Sequence, residues 1–385
     1  MNCLPTIASY FEDLRGIRHD LHQYPEIGYE EVRTSDIVAE RLSSWGVEVH
    51  RGLGVTGVVG VIHGAPGNGS IGLRADMDAL PMEEATGLAY SSKIPGRFHG
   101  CGHDGHTAIL LGVARHLAET RNFSGKAVLI FQPAEESLGG ARAMLADGLF
   151  QKFPCDEIYA LHNWPDGNFG RVSLRPGPML ACADKFKIDI RGRGGHAARP
   201  HDTIDPILIG TALVQALQSI VARNADPLDA SVLSVTQFHS GTAPNIIADT
   251  AHLAGSLRSF SDENRALIRS RMREICTGHA AAFNAEIDLQ MEDVFSVLRN
   301  SADHVNAVGE IAAQVVGLDN VDTASQPLLG SEDFADFLQV VPGAYFLIGM
   351  AKGPMVHNPG YVFDDNIIPV AASVLASIVE RRMPL

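Results

Sequence analysis

Phe98-His99-Gly100-Cys101-Gly102-His103-Asp104-Gly105-His106-Thr107 gathers three histidines, a cysteine and an aspartate into ten residues. Cys101 and His103 stand two apart, so on an extended segment their side chains point the same way. Gly100, Gly102 and Gly105 remove side-chain bulk around them and let an ion approach the backbone. Ala108-Ile109-Leu110-Leu111-Gly112-Val113-Ala114 then begins a helix. A Cys and a His presented where a loop enters a helix form the first half of a metal site. The plainer alternative is a buried free thiol among hydrogen-bonded histidines.

The other half has to come from distant segments, and the chain offers candidates at successive strand ends. Arg74-Ala75-Asp76-Met77-Asp78-Ala79-Leu80-Pro81 follows the apolar run Ile71-Gly72-Leu73. Acids at the carboxyl end of an internal strand sit where α/β sheets place their sites. A strand at 127–131 runs straight into Gln132-Pro133-Ala134-Glu135-Glu136. Adjacent carboxylates there are unfavourable unless something cationic lies beside them. A strand at 157–161 ends in His162-Asn163-Trp164-Pro165, and one at 344–348 is followed by Met355-Val356-His357-Asn358-Pro359-Gly360. Each has a plain reading as a helix cap, a solvated acid or a structural histidine. Their recurrence at strand ends turns the reading towards chemistry.

Around these ends the pattern is α/β. Apolar residues at helical spacing predict helices over 5–23, 31–45, 104–119, 139–147, 302–316, 332–339 and 367–382. β-type runs fall at 47–50, 55–63 and 71–75. Gly52-Leu53-Gly54-Val55-Thr56-Gly57 matches the dinucleotide pattern G-x-G-x-x-G but leads into a β run, so it reads as a glycine-rich hairpin. Residues 184–292 change character. Phe186, Ile188 and Ile190 alternate with Lys185, Lys187, Asp189 and Arg191, and the order that follows is β-α-β-β-α-β, the split βαβ pattern of one compact ferredoxin-like unit. The expected organisation is a catalytic α/β domain at 1–183 and 294–385, interrupted by an inserted α+β domain at 184–293.

The totals exclude several classes. At 385 residues the chain exceeds what one core usually fills. Its formal charge of −15 argues against nucleic acid or an anionic membrane as partner. Five scattered cysteines form no disulfide framework and suit a reducing cytoplasm. Met1 to Arg18 mixes Glu12, Asp13 and Arg15 into its apolar residues, so no signal peptide is expected. No run of 18 apolar residues exists, so no membrane span is expected.

Collected, the candidates are Asp78, Cys101, His103, Glu135, Glu136, His162 and His357. One thiolate, three imidazoles and a carboxylate suit zinc and, less selectively, manganese, cobalt or nickel. A thiolate can bridge two ions held ~3.5–4 Å apart. One carboxylate is then left over: Glu135, beside Glu136 yet pointing elsewhere, is the natural general base. Asp78 can orient a ligand imidazole from behind.

At this point the motifs resemble a known family. Those quoted above, together with Gly194-Gly195-His196-Ala197-Ala198-Arg199-Pro200-His201, resemble the amidohydrolase branch of the aminoacylase-like metallopeptidases. That branch includes hippurate hydrolases, N-acetyldiaminopimelate deacetylases and plant auxin-conjugate hydrolases. The motifs span nearly the whole chain in the family's order, and no ligand position departs from them.

The resemblance implies a two-metal aminopeptidase-like catalytic domain with an inserted lid that also dimerises. It implies that Cys101, His103, Glu136, His162 and His357 are metal ligands, with Cys101 bridging, and that Glu135 is the general acid and base. Asp78 matches an Asp that props a metal ligand, whereas Asp76 stays unassigned. His196 matches a lid histidine that stabilises the oxyanion, serving the site of the other chain in a homodimer or dimer-based tetramer. Asn245 and Arg258 match polar positions near the substrate. The implied reaction is hydrolysis of an N-acyl amino acid to a carboxylic acid and a free amino acid, with a metal-dependent dipeptidase or carboxypeptidase as the alternative. A cysteine hydrolase using Cys101 would leave Glu135, Glu136, His162 and His357 without roles. A dead-site binding protein would be expected to lose its base, and Glu135 is present.

Overall fold

The computed structural model describes residues 1–136 and 138–385. The chain forms two compact units: Met1–Met179 with Arg299–Gln326 and Asp333–Leu385, and Leu180–Leu298 with Pro327–Glu332.

The first unit is built on an eight-stranded mixed sheet. Its order is Glu48–Leu53, Gly57–His63, Ser124–Gln132, Ala65–Asp76, Glu157–Trp164, Gly343–Gly349, Val172–Ser173 and Val321–Asp322. Ser124–Gln132, Ala65–Asp76, Glu157–Trp164 and Gly343–Gly349 run parallel as neighbours. Each is buried along its second half or more and mostly apolar there, apart from the polar residues at the ends of the first three, as strands covered on both faces must be. Glu48–Leu53 and Gly57–His63 form an antiparallel hairpin closed at Leu53 and Gly57. The glycine-rich stretch is therefore a turn, as its β-type flanks indicate.

His103–Thr120 is buried around nearly its whole circumference, which fits its apolar composition, and it packs against Ile367–Arg382 and Phe11–Gln23. The helix expected over 5–23 is interrupted at Tyr10, giving Pro5–Ser9 and Phe11–Gln23. The expected helix over 332–339 is only Phe334–Leu338.

The second unit has a four-stranded antiparallel sheet in the order Ser231–Ser240, Thr250–Ser259, Cys182–Arg191, Glu286–Phe295, the ferredoxin-like arrangement. Alternation along Cys182–Arg191 sends Phe186, Ile188 and Ile190 inward to meet Leu213, Leu217, Ile268 and Met272 of the two helices. Lys185, Lys187 and Arg191 stay on the opposite, exposed face. Asp205 caps Pro206–Arg223 by accepting from Ile207 N, and Ser261 caps Asp262–Phe283 by accepting from Asn264 N at 3.0 Å. Pro206–Arg223 has the length and mean hydropathy, 1.3, of a membrane-crossing helix. One face of it, Ile209, Leu213, Leu217 and Ile220, belongs to the core of this unit.

Candidate metal centre

Four parallel neighbours end on one rim of the first unit's sheet, and the loop or end of each brings a candidate. Ala65–Asp76 leads to Asp76 and Asp78, Ser124–Gln132 to Glu135 and Glu136, Glu157–Trp164 carries His162, and Gly343–Gly349 precedes the loop of His357. Cys101 and His103 arrive at the start of the helix His103–Thr120. His357 N donates to Gly100 O at 2.8 Å, which ties the last loop to the first motif. Gly102, between the two candidate ligands, has φ +95°, and a Cβ there would lie 2.3 Å from Asn163 Oδ1. Only glycine lets Cys101 and His103 approach His162 in this way.

The structure brings these side chains together. Donor atoms of Cys101, His103 and His162 all lie within 4.8 Å of one another, and so do those of Cys101, Glu136 and His357. Cys101 is common to the two groups. Its Sγ is 3.3 Å from His162 Nε2. Glu136 Oε1 is 3.3 Å from His357 Nε2 and 3.9 Å from His103 Nε2. His103, Glu135 and Glu136 form a third group with the same spacing.

His103 Nε2 and Glu136 Oε1 are buried and, among the described residues, make no well-formed hydrogen bond, although Asp76 Oδ2 lies 3.6 Å from the first and His357 Nε2 3.3 Å from the second. A buried polar atom left without a partner is unfavourable by about 1–3 kcal/mol. Two such atoms facing one space, with a thiol and two more imidazoles around it, fit divalent cations.

The electrostatics agree. Burial disfavours a charged His103 ring, but Asp76, Asp78 and Glu136 outweigh it and push the group up to about 10. Burial pushes the Cys101 thiol well up, and Glu136, Glu135 and Asp76 add to the effect. A divalent cation would take the place of these protons and hold the sulfur as thiolate. His162 is held well down by burial first, then by His106 and His103, so its ring is neutral. Its Nδ1 donates to Asn163 O at 2.7 Å, leaving the Nε2 lone pair towards Cys101.

Asp78 does two things. Its Oδ1 lies 3.3 Å from His103 Nδ1 and accepts from Glu135 N at 3.0 Å, while its Oδ2 accepts from Glu136 N at 3.0 Å. One carboxylate therefore fixes an imidazole and the backbone of both glutamates.

Asp76, unassigned from sequence, lies beneath the site. Its Oδ1 is 2.6 Å from His106 Nδ1, its Oδ2 accepts from Arg74 Nη1 at 2.8 Å, and Oδ2 is 3.6 Å from His103 Nε2. Burial alone would raise Asp76, but His103, His106 and Arg74 hold it well below the ordinary carboxylate range. His106 Nε2 accepts from Asn163 N at 3.2 Å, so this ring links Asp76 to the residue after His162. The sequence signal for His106 was its place three residues after His103, one helical turn on.

The remaining candidates belong to the second unit. His196 is exposed, in the short strand Gly195–His196 paired with Ile246–Ile247, and Ala197 N donates to Asn245 O at 3.1 Å, so His196 and Asn245 are neighbours. Ala198 N donates to His196 Nδ1 at 3.1 Å. Arg258 donates to Ser331 Oγ within the same unit.

Residues 72–381 match the model of Peptidase family M20/M25/M40. The chain is a member of that family. This M20 protein is 42% identical over 383 residues to the hippurate hydrolase of Campylobacter jejuni subsp. jejuni serotype O:2, with all of both chains covered. It is 40% identical over 369 residues to thermostable carboxypeptidase 1 of Saccharolobus solfataricus, covering 92% of each. Its structure is similar to that of the Bacillus subtilis YXEP protein, described as a dinuclear metal binding peptidase from the M20 family, with a TM-score of 0.85, 31% identity, and 97% of this chain and 98% of that one covered. The M20 chain is thus a metallohydrolase of amide bonds, with the mixed α/β domain and inserted antiparallel domain of that family.

Proposed function

We propose that this enzyme hydrolyses N-acyl amino acids, of the hippurate type or with N-acetyl or indole-acetyl groups, to a carboxylic acid and a free amino acid. The observation that carries the reading is the pair of three-donor groups sharing Cys101, with Glu135 beside them. The full-length likeness to a hippurate hydrolase supports the substrate class. In this reading Cys101, His103, Glu136, His162 and His357 hold two divalent ions, zinc or manganese first and cobalt or nickel next.

Ions held there would supply Lewis-acid activation of water and of the amide carbonyl. Glu135 takes a proton from the water as its oxygen adds to the acyl carbon. When the C–N bond breaks, Glu135 returns that proton to the leaving nitrogen. His196, whose Nδ1 is occupied by the Ala198 N–H, carries its proton on Nε2 when neutral, the form that donates to an oxyanion. Asn245 and Arg258 offer donors to the substrate carboxylate. Cys101 is not the nucleophile in this reading: without metal, burial and the carboxylates of Glu136, Glu135 and Asp76 keep its thiol protonated, and with metal its sulfur would be taken up as a ligand.

The inserted unit serves as lid and dimerisation domain, giving a dimer or dimer-based tetramer in the cytoplasm. Its edge strand Ser231–Ser240 and its helix Pro206–Arg223 expose Phe238, Ile207 and Leu208, a surface suited to a second copy. His196 of one chain then completes the site of the other. His196→Ala and Glu135→Gln should each be nearly inactive, and mixed heterodimers should regain activity. A mixture that stays dead after proven subunit exchange places His196 within its own chain or outside the reaction.

The test of the substrate class is amino-acid release from N-acetyl, N-benzoyl, N-succinyl and indole-acetyl amino acids, repeated with zinc, manganese, cobalt and nickel. Release from at least one series is expected. The likeness to a carboxypeptidase favours a second reading, release of the last residue of peptides. Dipeptides and blocked peptides in the same screen separate the two: cleavage of these alone replaces the first reading.

A further inference from the structure

Glu135 leaves its strand through an unusual turn. Ala134, the residue before it, has φ +55°, a left-handed conformation that residues with a Cβ rarely adopt. Such a conformation persists only where the surroundings impose it. The surroundings here are a segment far away in sequence, Gly28–Glu31.

Glu31 is fully buried. Its Oε1 accepts from Ala134 N at 2.8 Å, and its Oε2 accepts from Thr56 Oγ1 at 2.7 Å. Gly28 lies directly on the same turn: a Cβ there would be 2.9 Å from Ala134 Cα and 2.6 Å from Leu138 Cδ1. Tyr29 Oη donates to Leu138 O at 3.0 Å, beyond the two glutamates. Asp78 takes the next two backbone N–H groups, those of Glu135 and Glu136. Three consecutive N–H groups, from Ala134 to Glu136, thus point at two carboxylates, Glu31 and Asp78.

We infer that Glu31 is a positioning residue for Glu135: its buried carboxylate pins Ala134 in the left-handed conformation from which the Glu135 side chain enters the site. The inference rests on Glu135 being the general base, as proposed above. The carboxyl of Glu31 is pushed up to about 7 by burial, although Thr56 opposes the shift. The pinning does not depend on its charge, because the acceptor facing Ala134 is present in either protonation state.

That property sets the test. Glu31→Gln keeps an oxygen towards Ala134 and an amide that can donate to Thr56. Glu31→Met keeps the bulk and removes both acceptors. Gly28→Ala presses on Ala134 directly and leaves Glu31 intact. Each protein, loaded with metal, is assayed for kcat and KM, metal content and hydrogen exchange of the Ala134 amide. Glu31→Met is expected to lose roughly 10–100-fold in kcat with KM within about twofold, since misplacing a catalytic group by an ångström costs that much. Its metal content should stay at the wild-type level and its Ala134 amide should exchange faster. Gly28→Ala should lose kcat in the same way, and Glu31→Gln should recover most of the rate and the protection. Wild-type kcat and protection in Glu31→Met overturn the inference, and so does a loss that Gln fails to rescue. If Glu31→Met does not fold, the pair Gly28→Ala and Glu31→Gln decides by the same readings. Amide exchange needs no substrate, so a wild type inert on every N-acyl amino acid counts against the proposed reaction and leaves the exchange result to decide for Glu31.

Discussion

Asp78 accepts the backbone N–H of Glu136 at 3.0 Å while its other oxygen lies 3.3 Å from the His103 ring, so one carboxylate sets the distance between two candidate ligands. Groups that orient ligands from behind commonly matter 10–100-fold in metal affinity or activity. Asp78→Ala should therefore lose both by roughly that factor, measured as metal content after dialysis and as kcat/KM. Asp78→Asn, which keeps one acceptor, should fall between the variant and the wild type. Unchanged metal binding in Asp78→Ala would mean that His103 and Glu136 hold their places without it.

Cys101 is the shared member of the two donor groups. A hydroxyl is a much poorer ligand than a thiolate, so in Cys101→Ser metal content and activity should drop together. Full metal occupancy with slowed chemistry would give the thiol a different role.

A second buried cluster lies behind the site and makes its own demand. Asp104 Oδ2 lies 2.7 Å from His22 Nδ1 and accepts from Arg18 Nη1 at 2.9 Å, and Glu84 lies on the far side of the same ring. Burial disfavours a charged His22, but Asp104 and Glu84 outweigh it and push the ring up to about 9. A histidine raised in the folded state binds its proton more tightly there than in the unfolded chain. Its contribution is complete below the ordinary value of about 6.5 and is lost as pH rises through about 9. In thermal melts the advantage of wild type over His22→Gln should be largest below pH ~6.5 and should vanish above about 9. A constant difference across that window would show that His22 is not charged in the fold.

Much of this molecule can be read locally. Strands that are apolar along their length and end in Asp, Glu or His announce both a parallel sheet and the rim that carries its chemistry. Alternation of Phe186, Ile188 and Ile190 with charged residues announces the inserted sheet. What cannot be read locally is the set of partners that hold the site in shape. Glu31 reads as the first residue of a helix, and the helix does start beside it, at Val32. Its side chain, however, reaches Thr56 and Ala134, 25 and 103 positions away. Asp76 has the same character, since its partners Arg74 and His106 are specified only once the strand end and the helix start meet. The break at Tyr10 is invisible because apolar spacing continues through it. The two-residue strands Val172–Ser173 and Val321–Asp322 are too short to carry a period, and they exist because they pair with each other beside Gly343–Gly349.

In the proposed reaction Glu135 carries the proton beside a metal pair that it does not itself hold. Glu135→Gln keeps the size of the side chain and removes its basicity. The decisive measurement is the turnover number of this variant on an N-acyl amino acid that the wild type hydrolyses, taken together with bound metal per chain. We expect the rate to fall by roughly 10²–10⁴ or more, with metal content equal to wild type. A variant that keeps most of its activity, or one that loses its rate only because it loses its metal, would contradict the assignment.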